Sequence, residues 1–226
     1  GAAAGAAGLA GSAGALQAAS RATSASERCM GGSIADRRAT VAGMDDRRTA
    51  LARALELALA AHGEQTRKGT AIPYVSHLLQ VSGLVLEWGG DLEQATAALL
   101  HDVVEDTAIS IAEVEAAFGS GVAAIVVDCT DTGPGETLGN KRPWLVRKRE
   151  YLARLRAVAP RSALVIACDK LHNADGLIAD LERDGVATLA RFNAPAPKQL
   201  WYMRGVAAAL AGRVPDGLAH RLAHHA

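Results

Sequence analysis

Residues 99–107 read Leu99-Leu100-His101-Asp102-Val103-Val104-Glu105-Asp106-Thr107, so that an apolar run leads directly into a histidine and three carboxylates. The Ala-rich and Leu-rich segment before this stretch predicts a buried helix, and His101 and Asp102 would emerge at its polar end. Glu105 follows His101 by four residues and Asp102 by three, which places it on the same side of a helix. The stretch therefore predicts a carboxylate-rich site at the end of a buried helix.

Two further residues form a plausible metal-binding set with the His-Asp pair. His77 lies in an amphipathic run upstream, and Asp169 lies in an apolar run downstream. Two imidazoles and two carboxylates suit Mn²⁺, Fe²⁺ or Zn²⁺ better than Ca²⁺, which prefers oxygen ligands alone. By itself His77 would be interpreted as a surface histidine, but the four residues together favour a divalent-metal site.

Composition limits the classes of partner. The chain has 226 residues, of which 50% are apolar and 4% aromatic, which fits one compact domain with or without a tail. Because 24 basic residues balance 24 acidic ones, no overall charge attracts nucleic acid or an anionic membrane, and no apolar run has membrane-spanning length. Three cysteines without paired spacing indicate a reducing compartment, so we expect a soluble cytoplasmic protein. The sequence does not specify an oligomeric state.

The two ends of the chain differ from its centre. Residues 1–43 are rich in Ala and Gly and predict a disordered tail, although a targeting peptide remains an alternative and Met44 is a candidate start. Residues 44–212 are predicted to form the folded domain. Residues 213–226 are predicted to be a C-terminal tail, whose three histidines show no designed metal spacing.

The domain is predicted to consist of helices. Gly89-Gly90 would end the helix that carries His77, and Asp91 would cap the next one. The apolar run 163–168 would suit a strand in isolation, but no comparable second strand exists, so it is predicted to be a buried helix. The segment from Asp131 to Arg142 is the longest loop and a natural lid. The predicted helices are 45–61, 74–88, 91–100, 110–118, 122–129, 144–158, 161–181 and 197–210.

Four ordered blocks of sequence resemble the HD superfamily of metal-dependent phosphohydrolases. Within it, the resemblance is to the hydrolase domain of RelA/SpoT-type proteins and to stand-alone small alarmone hydrolases of the metazoan SpoT homologue type, over roughly Leu51 to Leu210. The blocks are His62-Gly-Glu-Gln65-Thr-Arg67-Lys68 with Pro73-Tyr74-Val-Ser-His77, Ala98-Leu-Leu-His101-Asp102-Val-Val-Glu105-Asp106-Thr107, Phe118-Gly119, and Asp169-Lys-Leu-His-Asn173.

The resemblance implies an all-α fold of roughly eight to ten helices, the HD-domain helical fold. It also implies residue roles. The metal ligands, usually for a single Mn²⁺, would be His77, His101, Asp102 and Asp169. Glu105 and Asp106 would position the attacking water. Positions that contact substrate would be Arg67, Lys68 and Asn173 and, on the final helix, Lys198 and Tyr202.

The chemistry of these residues agrees with the resemblance, because a bound cation activates water and Glu105 or Asp106 can accept its proton. Arg67 and Lys68, with Lys170 beside Asp169, offer positive charge to a polyphosphate. The simpler interpretations are a solvated helix end for the acidic pair and an exposed turn for Arg67-Lys68. His62 and His172 are assigned to structure or support, and the basic residues at 141, 142 and 147–149 to a solvated helix face.

The expected activity is hydrolysis of the 3′-pyrophosphate of guanosine 3′,5′-bis(diphosphate), ppGpp, or a related alarmone. The loop Gly69-Thr70-Ala71-Ile72 is one residue longer than the family's, which puts guanine preference in doubt. A broader nucleotide phosphohydrolase acting on (pp)pApp or NADPH is therefore an alternative. A nucleotide sensor without catalysis is another.

Overall fold

Helices make up the regular structure of the chain. The computed structural model describes residues 34–133, 136 and 139–226, and within these residues no β-strand occurs. The prediction of an all-α fold is confirmed. In chain order the elements are α1 (Ile34–His62), α2 (Val75–Glu87), α3 (Leu92–Leu100), α4 (Val103–Asp106), α5 (Ile111–Phe118), α6 (Ser120–Cys129), α7 (Trp144–Leu155), α8 (Pro160–Asp184), a 3-10 helix (Gly185–Arg191), α9 (Ala196–Leu210) and α10 (Asp216–His224).

Helix α8 runs through the centre of the domain. It packs against α2, α3, α6 and α10, and every residue from Ala163 to Cys168 is buried. A helix that is covered on all sides is apolar all round, which is why the run 163–168 lacks amphipathic spacing. The helical prediction for this run is confirmed. Asp169 follows the run directly and is itself buried, so α8 places a carboxylate in the interior.

The turn between α2 and α3 fixes where α3 points. Gly89 adopts a φ of 86°, a conformation that favours glycine, and the side chain of Asp91 accepts a hydrogen bond of 2.9 Å from the Gln94 amide. Arg161 at the start of α8 donates to Asp91 at 2.8 Å. The predicted stop and cap are both confirmed. Because the start of α3 is tied to the start of α8, the polar end of α3 is brought beside the middle of α8.

The start of α1 lies upstream of the predicted boundary. The structure shows helix from Ile34, whereas residues 1–43 were expected to be a disordered tail and the first helix was expected to begin at Asp45. Residues 34–43 contain no proline, and Ala and Arg within them favour helix. The rest of the predicted tail, and the proposed targeting segment within it, lie outside the described residues.

Most of the segment expected to be a C-terminal tail is helical. Residues Asp216–His224 form α10, and Leu218 and Leu222 on it are buried in the core. Gly217 allows α10 to approach Trp88, the residue after α2, closely, since a Cβ there would lie 3.0 Å from the Trp88 ring. The sequence signal for this helix is the spacing of Leu218 and Leu222, which lie four residues apart and share one helix face.

A Leu218→Ala variant is expected to be destabilised by about 2–5 kcal/mol, because the side chain is fully buried and its removal leaves a cavity. Urea denaturation followed by circular dichroism measures the free energy of unfolding. His220→Ala, an exposed position on the same helix, is the control and should change it by less than about 0.5 kcal/mol. Equal stability of both variants would show that α10 does not pack on the core.

None of the described helices has both the length and the apolar character that a bilayer crossing requires. Cys129 and Cys168 are free thiols, and Cys168 is buried. Burial raises the pKa of the Cys168 thiol to about 12, so it remains protonated and unreactive at neutral pH. Cys29 lies outside the described residues.

Candidate metal and active site

Four side chains from separate parts of the sequence converge beside the middle of α8. His77 comes from α2, His101 and Asp102 from the link between α3 and α4, and Asp169 from α8. His77 Nε2 lies 3.3 Å from both His101 Nε2 and Asp169 Oδ1, and His101 Nε2 lies 2.9 Å from Asp102 Oδ2. Ligand atoms of His77, His101 and Asp169 all lie within 4.8 Å of one another. The structure therefore brings together the four residues predicted as ligands.

The ring of His101 is oriented by the helix that carries it. Its Nδ1 lies 2.8 Å from the carbonyl oxygen of Ala98, one turn earlier in α3. A carbonyl only accepts, so Nδ1 carries a proton and Nε2 is the ring nitrogen that faces the cluster. A neutral imidazole with a free nitrogen is the form that binds a metal ion.

The negative charges of the Asp102 and Asp169 carboxylates require a positive partner within the cluster. Although burial opposes ionisation, the carboxylates of Asp102 and Asp169 raise the pKa of His101 well above its usual value. Burial would raise the pKa of Asp169, but Lys170 and His101 hold it well below its usual value. Two ionised carboxylates in a buried position are stable only when positive charge lies between them. Two imidazole nitrogens and two carboxylates are a fitting donor set for a divalent cation.

Each carboxylate has a further partner outside the cluster. The Tyr74 hydroxyl donates to Asp102 Oδ2, and burial together with this carboxylate raises the Tyr74 pKa, so the hydroxyl remains a donor. Lys170 Nζ donates to Asp169 Oδ2 at 2.6 Å. The amine of Lys170 is thus committed to Asp169, which differs from its predicted use as free positive charge for a polyphosphate.

Glu105 and Asp106 lie on the short helix α4, which starts directly after Asp102. Burial and the charges of Asp131 and Asp102 raise the pKa of Glu105, and burial with Asp102 and Glu105 raises the pKa of Asp106 to about 6. Acidic residues so close together are unfavourable unless a cation or a proton relieves them. The pair therefore lies next to the cluster in a setting suited to proton exchange near neutral pH.

The loop from Asp131 to Arg142, expected to be a lid and called the lid loop below, contacts Glu105 and Asp106 through a lysine. Lys141 Nζ donates to Glu105 Oε1 at 2.9 Å and lies 3.9 Å from Asp106 Oδ1. Arg147 and Lys148, at the start of α7, both donate to the buried carboxylate of Asp131. The interpretation of the basic segment as a solvated face is wrong for these three residues, because each pairs with a partly or fully buried carboxylate. Arg149 is exposed, as expected.

The predicted substrate-binding residues of the loop before α2 lie on the other side of the cluster. Arg67 donates to Asn173 Oδ1 at 3.2 Å, and Asn173 Nδ2 donates to Asp169 Oδ1 at 2.6 Å. Lys68 donates to Asn193 Oδ1 at 3.2 Å and is exposed. A cleft of about 460 Å³ lies between them and the acidic pair, with Arg67, Lys68, Asp106 and Asn173 in its wall.

The two residues predicted on the final helix separate in the structure. Tyr202 is buried, its hydroxyl has no hydrogen-bond partner, and it lines a largely apolar cleft of about 790 Å³ that also includes Arg67 and Asn173. Lys198 is exposed and is not among the residues that line this cleft. Both residues lie on α9 at the expected spacing of four, but they differ in burial. The structure brings Tyr202 towards the site and leaves Lys198 outside it.

Comparison with known proteins identifies the family. Residues 54–192 match the family model described as HD domain, which is more than half of the chain. This chain belongs to the HD-domain family. A guanosine-3′,5′-bis(diphosphate) 3′-pyrophosphohydrolase, MESH1 of Mus musculus, is 36% identical to this HD-domain chain over 126 residues, 54% of this chain and 66% of that protein. A probable guanosine-3′,5′-bis(diphosphate) 3′-pyrophosphohydrolase of Synechocystis sp. is 36% identical over 124 residues, 16% of its length.

A solved structure shares the HD-domain architecture. The structure of a metazoan orthologue of SpoT that hydrolyses ppGpp superposes with a TM-score of 0.62 at 27% identity, covering 78% of this chain and 93% of that one. The sequence alignments are shorter: the HD-domain chain spans about two thirds of the mouse relative and about one sixth of the Synechocystis relative.

Sequence reasoning gave no chemical role to two residues that contact this HD-domain site. Tyr74 belongs to the Pro-Tyr motif before α2, and its position three residues before His77 is the sequence signal for its contact with the cluster. Lys141 was assigned to a solvated surface, and no spacing in the sequence indicates its contact with Glu105, 36 residues away.

Proposed function

We propose that this HD-domain protein is a divalent-metal-dependent phosphohydrolase that removes the 3′-pyrophosphate of ppGpp or a closely related alarmone. The observation that carries the proposal is the convergence of His77, His101, Asp102 and Asp169 beside the carboxylates of Glu105 and Asp106. The activity for which the mouse and Synechocystis relatives are named supports the choice of substrate. Mn²⁺ as the metal, a cytoplasmic location and a part in the stringent response belong to the same proposal.

The four converging residues would hold the cation. Two neutral imidazoles and two ionised carboxylates would supply two nitrogen and two oxygen donors, a set that suits Mn²⁺. When bound, such a cation lowers the pKa of water and offsets the charge of the phosphate.

The acidic pair would manage the proton of the attacking water. Glu105 or Asp106 accepts this proton and holds the water oxygen in line with the 3′-oxygen that leaves phosphorus. Because burial and neighbouring carboxylates raise the pKa of both side chains, each is a stronger base than an ordinary carboxylate. Lys141, which donates to Glu105, keeps that carboxylate in place.

Positive charge on the loop before α2 would bind the phosphates. Arg67 lines three clefts around the cluster, and Lys68 lines two of them. A guanidinium contacts two phosphate oxygens at once, which both holds the substrate and stabilises charge that shifts during transfer. Asn173, between Arg67 and Asp169, would place the phosphate next to the metal ligands.

A substrate panel tests the proposal. Purified protein is incubated with Mn²⁺ and, separately, ppGpp, ppApp, NADPH and deoxynucleoside triphosphates, and the products are resolved by anion-exchange chromatography. We expect pyrophosphate and GDP from ppGpp and no turnover after the metal is removed with EDTA. Release of phosphate from several nucleotides would indicate a broader phosphohydrolase instead. Binding of ppGpp without turnover would indicate a sensor.

A further inference from the structure

The guanidinium of Arg67 begins two hydrogen-bond chains that end on the residues proposed as metal ligands. In the first, Arg67 Nη1 lies 3.3 Å from His172 Nδ1, which lies 2.8 Å from His77 Nδ1. In the second, Arg67 Nη2 donates to Asn173 Oδ1, and Asn173 Nδ2 donates to Asp169 Oδ1. The loop before α2 is thus connected to two ligands of the cluster.

The first chain has only one consistent direction. A guanidinium has donors and no acceptor, so the His172 Nδ1 that faces it must be unprotonated. The single lone pair of His172 Nδ1 is shared with His77 Nδ1, which lies closer than the guanidinium and therefore carries a proton and donates a hydrogen bond. A neutral His77 then has its lone pair on Nε2, the atom that lies 3.3 Å from His101 Nε2 and from Asp169 Oδ1. The direction set at Arg67 thus determines which nitrogen of His77 is free to bind a metal.

The second chain fixes the orientation of Asn173 in the same way. Because Arg67 donates to Oδ1, the amide nitrogen of Asn173 must point to the opposite side, where it donates to Asp169 Oδ1. Lys170 holds the other oxygen of this carboxylate. Both oxygens of Asp169 therefore have a donor that limits rotation of the carboxylate.

His77 differs from His101 in what holds its second nitrogen. His101 Nδ1 donates to a carbonyl of its own helix, which is present whatever the loop does. His77 Nδ1 contacts the side chain of His172 on α8, and His172 is itself held by Arg67. When the second nitrogen of a metal-ligating histidine loses its partner, metal affinity falls by roughly 10- to 100-fold.

We propose that Arg67 and His172 are positioning residues of the metal centre, which keep the proton of His77 on Nδ1 and the lone pair on Nε2. The inference rests on the proposed function, because it assumes that the cluster holds a divalent cation. It adds a role to Arg67: the loop residue expected to bind phosphate also orders the metal ligands before any substrate arrives.

The test measures Mn²⁺ affinity by isothermal titration calorimetry in the absence of nucleotide. His172→Phe keeps a ring of similar size but has no acceptor, and we expect it to weaken Mn²⁺ binding by about 10- to 100-fold. His172→Gln offers a carbonyl oxygen that can accept from His77, so it should restore affinity to within about fivefold of the wild type. Arg67→Met should weaken Mn²⁺ binding by about tenfold, although no phosphate is present.

Lys68→Gln is the matched control. Lys68 is the neighbour of Arg67 and has the same expected substrate role, but its amine contacts Asn193 and not the cluster. Its Mn²⁺ affinity should equal that of the wild type. Circular dichroism and thermal unfolding in EDTA check that each variant is folded.

The outcomes separate the inference from the proposed function. His172→Phe and Arg67→Met variants that bind Mn²⁺ as tightly as the wild type would overturn the inference, even if the wild type hydrolyses ppGpp. Suppose instead that the wild type binds Mn²⁺, that both variants bind it more weakly, and that the wild type hydrolyses no alarmone. This result would support the inference and refute the proposed function. A wild type that binds no divalent cation overturns both.

Discussion

An Asp102→Asn variant is expected to lose divalent-metal binding and hydrolytic activity together, with activity reduced by roughly 10³-fold or more. A metal ion contributes several kcal/mol to stabilising charge in the transition state, and each 1.36 kcal/mol or so corresponds to a factor of ten in rate. Asparagine keeps the size of the side chain and can still accept from the Tyr74 hydroxyl, so the change removes mainly the negative charge. Metal content measured by elemental analysis, alongside turnover of ppGpp, checks the expectation.

Asp184→Asn is the control for this substitution. It removes an exposed carboxylate at the far end of α8, where the side chain pairs with Arg183. This variant should retain both metal and turnover. An Asp102→Asn protein that is folded and retains full turnover would contradict the proposed mechanism, whereas one that keeps the metal but loses turnover would assign Asp102 to a role other than ligation.

Local features of the fold were predictable from the sequence because their causes are local. Gly89 and Asp91 end one helix and start the next through contacts within a few residues. The run 163–168 was predictable as a helix because no partner strand exists for it. By contrast, α10 depends on two leucines within nine residues, and such short helices are stable only when they pack on a core. To predict α10 from the sequence, one would need to know that the core has an apolar surface on which its two leucines can pack.

The cluster of proposed metal ligands was predictable as a set, whereas its surroundings were not. Histidine and aspartate in a particular order are visible in the sequence, and the helices that carry them bring them together. The partners of these residues depend on side-chain direction. His172 was assigned to support without a partner, and only the structure shows its contact with His77. Lys198 and Tyr202 lie four residues apart on α9, yet Tyr202 is buried and Lys198 is exposed, a difference that their spacing does not indicate.

The position of the lid loop was predictable from the sequence, whereas its side-chain contacts were not. Its position between α6 and α7 follows from its Gly and Pro content, and a lid over the site was expected there. What the sequence did not indicate was that two basic residues of α7 would be anchored on Asp131 at the loop's start. These ion pairs hold the two ends of the loop together, so Lys141 near its end is kept close to Glu105.

A Glu105→Gln variant is expected to reduce turnover by about 10²- to 10⁴-fold while its Mn²⁺ affinity stays within about threefold of the wild type. General-base catalysis by a positioned carboxylate contributes about this much to rate, and an amide of the same size cannot accept the proton. Asp106→Asn, measured alongside, shows which of the two carboxylates is the base, since the larger loss identifies it.

Glu115→Gln, at an exposed position on α5, is the control for loss of a carboxylate as such and should have wild-type turnover. The comparison with Asp102→Asn is decisive. The two substitutions lie three residues apart, but Asp102→Asn should lose the metal and Glu105→Gln should keep it. If Glu105→Gln lost the metal, the acidic pair would belong to the ligand set. If Glu105→Gln and Asp106→Asn both retained full turnover, the pair would have no part in the reaction, and a nucleotide-binding site without need of a base would explain the geometry better.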